Sequence, residues 1–205
     1  MAISVETVGV NALKLYFDGM PKMTARSMRL AINTVVRRSG MKALRDGMLA
    51  EISFPRGYLK GDRLRVARYA SDNKLEATIL ARKRATSLAR FATSGTMGKS
   101  GVTVKVRRGR TTFLKKAFLV KLKAGASMSE DNYNTGLAVR LSPGEKLNNK
   151  ASAHKAWLVP GRVALLYAPS VNQVMETTAG KVSPQIAKLV EGEFFRQFER
   201  LSNGK

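Results

Sequence analysis

The stretch RLRVARYASDNKLEATILARK, residues 63–83, predicts a β-hairpin. Charged and apolar residues alternate over Arg63-Leu64-Arg65-Val66, which is typical of a half-buried strand. Ser71-Asp72-Asn73-Lys74 has the composition of a tight turn. A second strand is predicted from Leu75 to Leu80, so the chain contains antiparallel sheet.

The segment before this hairpin predicts a long helix. Apolar residues recur at steps of three and four between Pro21 and Pro55, which indicates an amphipathic helix over 21–54. Gly40 and Gly47 each weaken that helix by about 1 kcal/mol relative to alanine. We therefore expect a bend, or the close approach of another backbone, at these glycines. Residues 1–20 are interpreted as an N-terminal arm or strand.

The segment after the hairpin predicts further strands and then helix. Alternating or β-branched runs indicate strands over 101–107, 113–122, 136–141 and 162–167. C-terminal helices are predicted over 170–201. The fold class is therefore α+β, with a long N-terminal helix, an antiparallel sheet of five or six strands and C-terminal helices. We expect a single domain over 21–205, comprising the long helix 21–54, a basic sheet over 56–123, loops and last strands over 124–168, and the closing helices.

The composition argues against several classes of site. The 205 residues include no cysteine, which excludes disulfides, thiolate zinc sites and a cysteine nucleophile. His154 is the only histidine, so multi-histidine metal sites are excluded as well. Gly98-Lys99-Ser100 lacks the upstream glycine of a phosphate loop, because Thr93 stands there. We expect no cofactor, no metal, no enzymatic activity, no signal peptide and no membrane association.

The basic residues carry the functional signal. The chain has 37 Lys and Arg against 14 Asp and Glu, a net charge of +23, and residues 56–123 hold 19 of the basic and 3 of the acidic residues. Such an asymmetry indicates a polyanionic partner or an acidic protein, with solubility as the alternative explanation. The candidate contact residues are Arg63, Arg65, Arg68, Arg82, Lys83, Arg84, Arg107, Arg108, Arg110, Lys115 and Lys116.

The type of contact follows from what accompanies these basic residues. No helix-turn-helix or zinc finger is recognisable in the sequence. We expect Tyr69 and Phe91 to be the only aromatic residues close to the basic contact residues. We therefore expect non-specific contact with the phosphates of double-stranded DNA rather than reading of bases.

The order of the segments resembles the phage minor tail protein Z family, the tail-completion proteins of long-tailed phages. Leu166-Tyr167-Ala168-Pro169-Ser170-Val171 is similar to that family's Leu-Tyr-Gly-Pro-Ser-Val stretch, with Ala168 in place of the glycine. The residues of this motif expected to be structural are Leu166, Tyr167, Pro169 and Ser170. Weaker similarities lie at Leu75–Ile79, Leu88–Phe91 and Ala117-Phe118.

The resemblance implies a structural, non-enzymatic virion protein. Members of the family complete the head-proximal end of the tail and join it to the neck, so the implied state is a homo-oligomeric, hexameric ring around the DNA path. The implied partners are other neck and tail proteins and genomic double-stranded DNA, in the virion and, during assembly, in the host cytoplasm. Two alternatives remain open: a stand-alone basic nucleic-acid-binding protein, and a nuclease that uses Asp62 or Glu76.

Overall fold

The structure, a computed structural model, describes residues 21–96, 99–122, 134–141, 158–159 and 163–204. Contacts divide the chain into two compact units. The helical unit contains residues 21–50, 57–83 and 171–204, and the β unit contains the described residues within 51–56 and 84–170. Helices and antiparallel sheets together confirm the α+β class. The predicted N-terminal arm, and residues 124–133 and 142–157 of the predicted loops and last strands over 124–168, lie outside the described residues.

Two helices replace the single helix that was predicted over 21–54. They are α1 (Pro21–Arg37) and α2 (Ser39–Glu51). The interruption lies at Arg38, whose N–H is shared between two carbonyls of the preceding turn. Gly40 makes this bend possible, because a Cβ there would lie 2.9 Å from Val35 Cγ1 and 3.0 Å from the Val35 carbonyl oxygen. The expected bend at this glycine is confirmed.

The predicted hairpin is confirmed in the helical unit. Its strands are β1 (Leu64–Arg68) and β2 (Thr78–Ala81), which pair antiparallel. Ser71 and Lys74 exchange backbone hydrogen bonds of 2.9 and 3.1 Å across the turn. The side-chain amide of Asn33 on α1 bonds both backbone groups of Ala70, at 2.8 and 3.0 Å, and so anchors the hairpin to the helix.

One continuous helix, α3 (Val171–Ser202), replaces the separate C-terminal helices that were predicted. Pro184 lies inside it, where a proline removes one backbone hydrogen bond. The carbonyl left without that donor belongs to Gly180, an exposed residue, so water can reach it. Phe194 of α3 is buried against Ala31 of α1. Gly47 of α2 packs against side chains of α3, because a Cβ there would be 2.7 Å from Val182 Cγ1 and 2.8 Å from Thr178 Cγ2. The approach of another backbone expected at this glycine is instead an approach of side chains.

The β unit contains two sheets. The first has the order β4 (Ala92–Ser94), β5 (Val102–Val104), β6 (Thr112–Leu114). The second has the order β3 (Thr86–Ser87), β10 (Val163–Ala168), β8 (Asn134–Arg140), β7 (Ala117–Leu122), with β9 (Leu158–Val159) also paired to β10. Val102 and Val104 of the first sheet and Ala117 and Leu137 of the second form one buried core.

The sheet predicted over 56–123 is therefore not one sheet. Its residues belong to three sheets of two, five and three strands, and the hairpin lies in the helical unit while the later strands lie in the β unit. The strand predicted over 113–122 is divided at Lys115 and Lys116, because β6 and β7 pair in different sheets. The single domain expected over 21–205 stays a prediction.

Candidate nucleic-acid interface

A tight turn projects three arginines from the β unit. Arg107, Arg108, Gly109 and Arg110, here called the arginine turn, lie in the connection between β5 and β6, and the Arg110 N–H donates to the Arg107 carbonyl at 3.3 Å. Gly109 has φ +79°, a conformation in which side chains are strained. All three arginines are exposed. The glycine thus permits a tight turn that carries three exposed arginine side chains.

Backbone pairing fixes this turn on one side. Ile52 forms a β-bridge with Arg107, the Ser53 N–H donates to the Val106 carbonyl at 2.8 Å, and the Arg108 N–H donates to the Glu51 carbonyl at 3.2 Å. These bonds use main-chain groups, so they leave the guanidinium groups available. Among the described residues, no carboxylate lies within 4.0 Å of a charged nitrogen of the three arginines.

A second group of cations lies at the opposite end of β6. Lys115 and Lys116, here called the lysine pair, are exposed and form the turn that leads into β7. They also have no carboxylate partner among the described residues. With a rise of about 3.3 Å per strand residue, the five steps from Arg110 to Lys115 span at most about 17 Å. The two groups are therefore close enough to contact one polyanion.

The charge balance of the β unit is strongly one-sided. Its described residues include Glu51 as the only acid and twelve basic residues, which are Arg56, Arg84, Arg90, Lys99, Lys105, Arg107, Arg108, Arg110, Lys115, Lys116, Lys121 and Arg140. In the sequence, no acidic residue occurs between Glu76 and Glu130. Positive potential therefore accumulates on this unit, and it favours a polyanionic ligand.

Arg63 and Arg82 have a structural partner in the helical unit. Both guanidinium groups lie over the ring of the buried Tyr58, with their central carbons 4.5 and 5.7 Å from its centroid. Arg82 also donates to the Tyr58 hydroxyl at 2.5 Å, and Arg63 donates to the Tyr58 carbonyl at 3.5 Å. Both side chains are half-buried. Contact of these two residues with a polyanion stays a prediction.

Arg68 is paired with an acid. Its guanidinium donates to Glu76 Oε1 at 2.7 Å, and the Lys74 ammonium lies 3.4 Å from the other carboxylate oxygen. The hydrogen bond from Arg68 is the largest of the causes that hold the pKa of the Glu76 carboxyl below its ordinary value. The charge of Arg68 is therefore largely balanced inside the hairpin.

The remaining predicted contact residues are exposed but belong to different units. Arg65 lies on the outer face of the hairpin, opposite Leu80. Lys83 ends one stretch of the helical unit, and Arg84 begins a stretch of the β unit. The structure therefore does not gather all eleven predicted residues on one sheet. Five of them lie in the arginine turn and the lysine pair, at the two ends of β6.

The expectation that Tyr69 and Phe91 are the only aromatic residues close to the basic residues is wrong, because Phe113 also lies close to them. Phe91 is buried and packs on Phe54, and Tyr69 lies under the guanidinium of Arg37, 4.4 Å from its central carbon. Phe113 was overlooked, although its side chain is 63% exposed on β6, between the arginine turn and the lysine pair. Its position between two basic clusters in the sequence was the signal that could have identified it.

The motif that carries the family resemblance ends β10 and leads into α3. Leu166 packs on the core of the β unit, and Tyr167 pairs with Ser87 of β3. Pro169 is exposed and Ser170 is buried. Whether these residues have the role that the resemblance implies stays a prediction.

In the part of the chain that the structure describes, no three His, Asp or Glu residues lie close enough to hold a metal ion, and no helix is long and apolar enough to cross a membrane. His154 and Gly98 lie outside the described residues. Compared with known proteins, the chain matches no family model, no curated protein and no solved structure.

Proposed function

We propose that this chain is a structural protein of a tailed-phage virion. It completes the head-proximal end of the tail and joins it to the neck, as a homo-oligomeric, hexameric ring around the DNA path. Its partners are other neck and tail proteins and the phosphates of genomic double-stranded DNA. The family resemblance supports the place in the virion, and the basic turns of the β unit support the contact with DNA.

The observation that carries the DNA contact is the arginine turn. Three exposed guanidinium groups are held on one short turn whose backbone is fixed by Glu51, Ile52 and Ser53. Arginine forms bidentate hydrogen bonds with phosphate, and a contact with the backbone alone carries no sequence information. Such contacts are individually weak and salt-dependent. They suit a channel through which DNA later moves.

The alternative is a stand-alone basic nucleic-acid-binding protein. The same turn favours it, because phosphate contacts have the same geometry on a free protein as in a ring. The two functions differ in oligomeric state and location. A monomer that binds duplex DNA tightly at physiological salt is the result expected for the alternative alone.

Light scattering coupled to size exclusion tests the ring. A discrete oligomer at the mass of six chains is expected, and a strict monomer at all concentrations contradicts it.

A density map of the assembled virion tests the location. We expect this chain at the head-proximal end of the tail, and its absence from purified virions contradicts the proposed function.

Competition distinguishes DNA from an acidic protein as the ligand of the arginine turn. Labelled duplex DNA is bound to the protein, and unlabelled duplex or poly-glutamate is added at equal charge concentration. Duplex DNA is expected to displace the label far more effectively, because it carries one charge per about 1.7 Å of its axis and releases condensed counterions on binding. Equal displacement by poly-glutamate contradicts DNA as the preferred ligand.

A further inference from the structure

Phe113 occupies an unusual place for a large apolar side chain. It lies in the middle of β6, directly opposite Thr103 of β5, while the flanking pair Leu114 and Val102 faces the core of the β unit. Successive residues of a strand point to opposite faces, so Phe113 and Thr103 share the outer face of the sheet. Among the large hydrophobic residues that the structure describes as exposed, Phe113 is the most exposed.

The ring of Phe113 is held in position by a glycine. A Cβ on Gly101 would lie 3.2 Å from Phe113 Cζ and 3.4 Å from Cε2, so this part of the ring packs against the Gly101 backbone. Gly101 has φ +98°, which other residues rarely adopt. The Gly101 N–H also donates to the Ala117 carbonyl at 2.9 Å. The ring therefore has a fixed support, and the rest of its surface faces solvent.

The surroundings of the ring are polar and basic rather than apolar. Thr103 and its cross-strand neighbour Ser94 contribute hydroxyl groups to the outer face. Arg110 precedes β6, and Lys115 follows it directly. Protein partners usually bury a patch with an apolar core that is poor in charge, and a single phenylalanine among hydroxyls and cations does not provide one.

We propose that the outer face of the β4–β5–β6 sheet is a binding site for single-stranded nucleic acid. Phe113 stacks on one unpaired base, and Arg110 and Lys115 contact the phosphates on either side of it. A basic surface combined with an exposed aromatic ring is the arrangement that binds single strands without sequence preference. This site goes beyond the proposed function, because the bases of an intact duplex are stacked on one another and are not available to the ring.

The test compares oligothymidine with duplex DNA of equal length at the same salt concentration, using fluorescence anisotropy. For Phe113→Leu we expect the affinity for oligothymidine to fall by about 5- to 150-fold, which corresponds to the loss of one stacked base. Duplex affinity and the salt dependence of binding are expected to stay unchanged, because no charge is removed. Phe113→Tyr keeps a ring and is expected to retain the affinity for the single strand.

A matched control and a second ligand complete the test. Phe195→Leu removes an exposed ring from the helical unit, where Phe195 is 39% exposed, and is expected to leave both affinities unchanged. An abasic strand of equal length should bind the wild-type protein as weakly as oligothymidine binds Phe113→Leu. Equal binding of oligothymidine by Phe113→Leu and the wild type overturns the stacking site. If duplex binding is absent in the wild type while these differences persist, the proposed function fails and the stacking site stands.

Discussion

The two units of the chain use their basic residues differently. In the helical unit, Arg29 pairs with Asp72 at 3.1 Å and Arg196 pairs with Glu193 at 2.6 Å. In the β unit, the arginine turn and the lysine pair have no carboxylate partner among the described residues. The ratio of basic to acidic residues therefore differs between the units, because the described residues of the β unit include a single acid for twelve basic residues.

The distribution of acids in the sequence accounts for this difference. The described residues of the helical unit include eight acids, which are Asp46, Asp62, Asp72, Glu76, Glu176, Glu191, Glu193 and Glu199. Those of the β unit include Glu51 alone. Among the described residues, the arginine turn has no carboxylate within 4.0 Å of its charged nitrogens and so attracts phosphate more strongly than Arg68, which is paired with Glu76.

The largest expected effect concerns the core of the helical unit. Phe194→Ala should lower the free energy of unfolding by about 3–5 kcal/mol, because it removes a buried ring that packs against α1. The measurement is denaturant unfolding. DNA affinity of the folded variant should stay unchanged, since the arginine turn belongs to the β unit.

Phe195→Ala is the matched control for that variant. Phe195 is the next residue of α3 and is exposed, so a loss well below that of Phe194→Ala is expected. Equal losses for the two variants contradict the assignment of Phe194 to the core.

The next largest expected effect compares Arg82, which contacts Tyr58, with Arg65, which is exposed on the same hairpin. Arg82→Ala should destabilise the protein by about 1–3 kcal/mol, because it removes a charged hydrogen bond to the Tyr58 hydroxyl and a guanidinium over the Tyr58 ring. Arg65→Ala, on the exposed face of the same hairpin, should change the free energy of unfolding by no more than about 0.5 kcal/mol. Thermal and denaturant unfolding measure both. Equal effects show that stacking on Tyr58 does not stabilise the fold.

The smallest effect concerns the exposed pair of Arg68 and Glu76. The hydrogen bond from Arg68 lowers the pKa of the Glu76 carboxyl in the folded state, so its stabilisation is present above the unfolded pKa and is lost as pH falls through the folded pKa. An NMR titration should show the Glu76 pKa rise toward its ordinary value in Arg68→Ala. The difference in Tm between this variant and the wild type should shrink in acid. An unchanged Glu76 pKa contradicts the pairing.

Local patterns in the sequence predicted the fold class and the hairpin. The alternation around Leu64 and the turn residues from Ser71 to Lys74 act over a few residues, and the structure has both features where they were expected. The bend beside Gly40 also follows from local chemistry. The continuity of α3 through Pro184 does not, because packing of the helix against α1 outweighs one missing hydrogen bond.

Features that depend on distant partners could not be read from the sequence. Strand pairing assigns β6 and β7 to different sheets although one alternating run contains both. Tyr58 stands 24 positions before Arg82, so the contact that makes this arginine structural is invisible to a local pattern. The exposure of Phe113 depends on its pairing with Thr103 in β5.

The salt dependence of duplex DNA binding by two triple variants tests whether the arginine turn binds phosphate. R107A/R108A/R110A removes the arginine turn, and R26A/K188A/R200A removes the same charge from exposed sites of the helical unit. The plot of log affinity against log salt should lose up to about 2.7 units of slope in the first variant, at about 0.9 per phosphate contact, and far less in the second. Equal losses, or none in the first variant, contradict a phosphate-binding arginine turn.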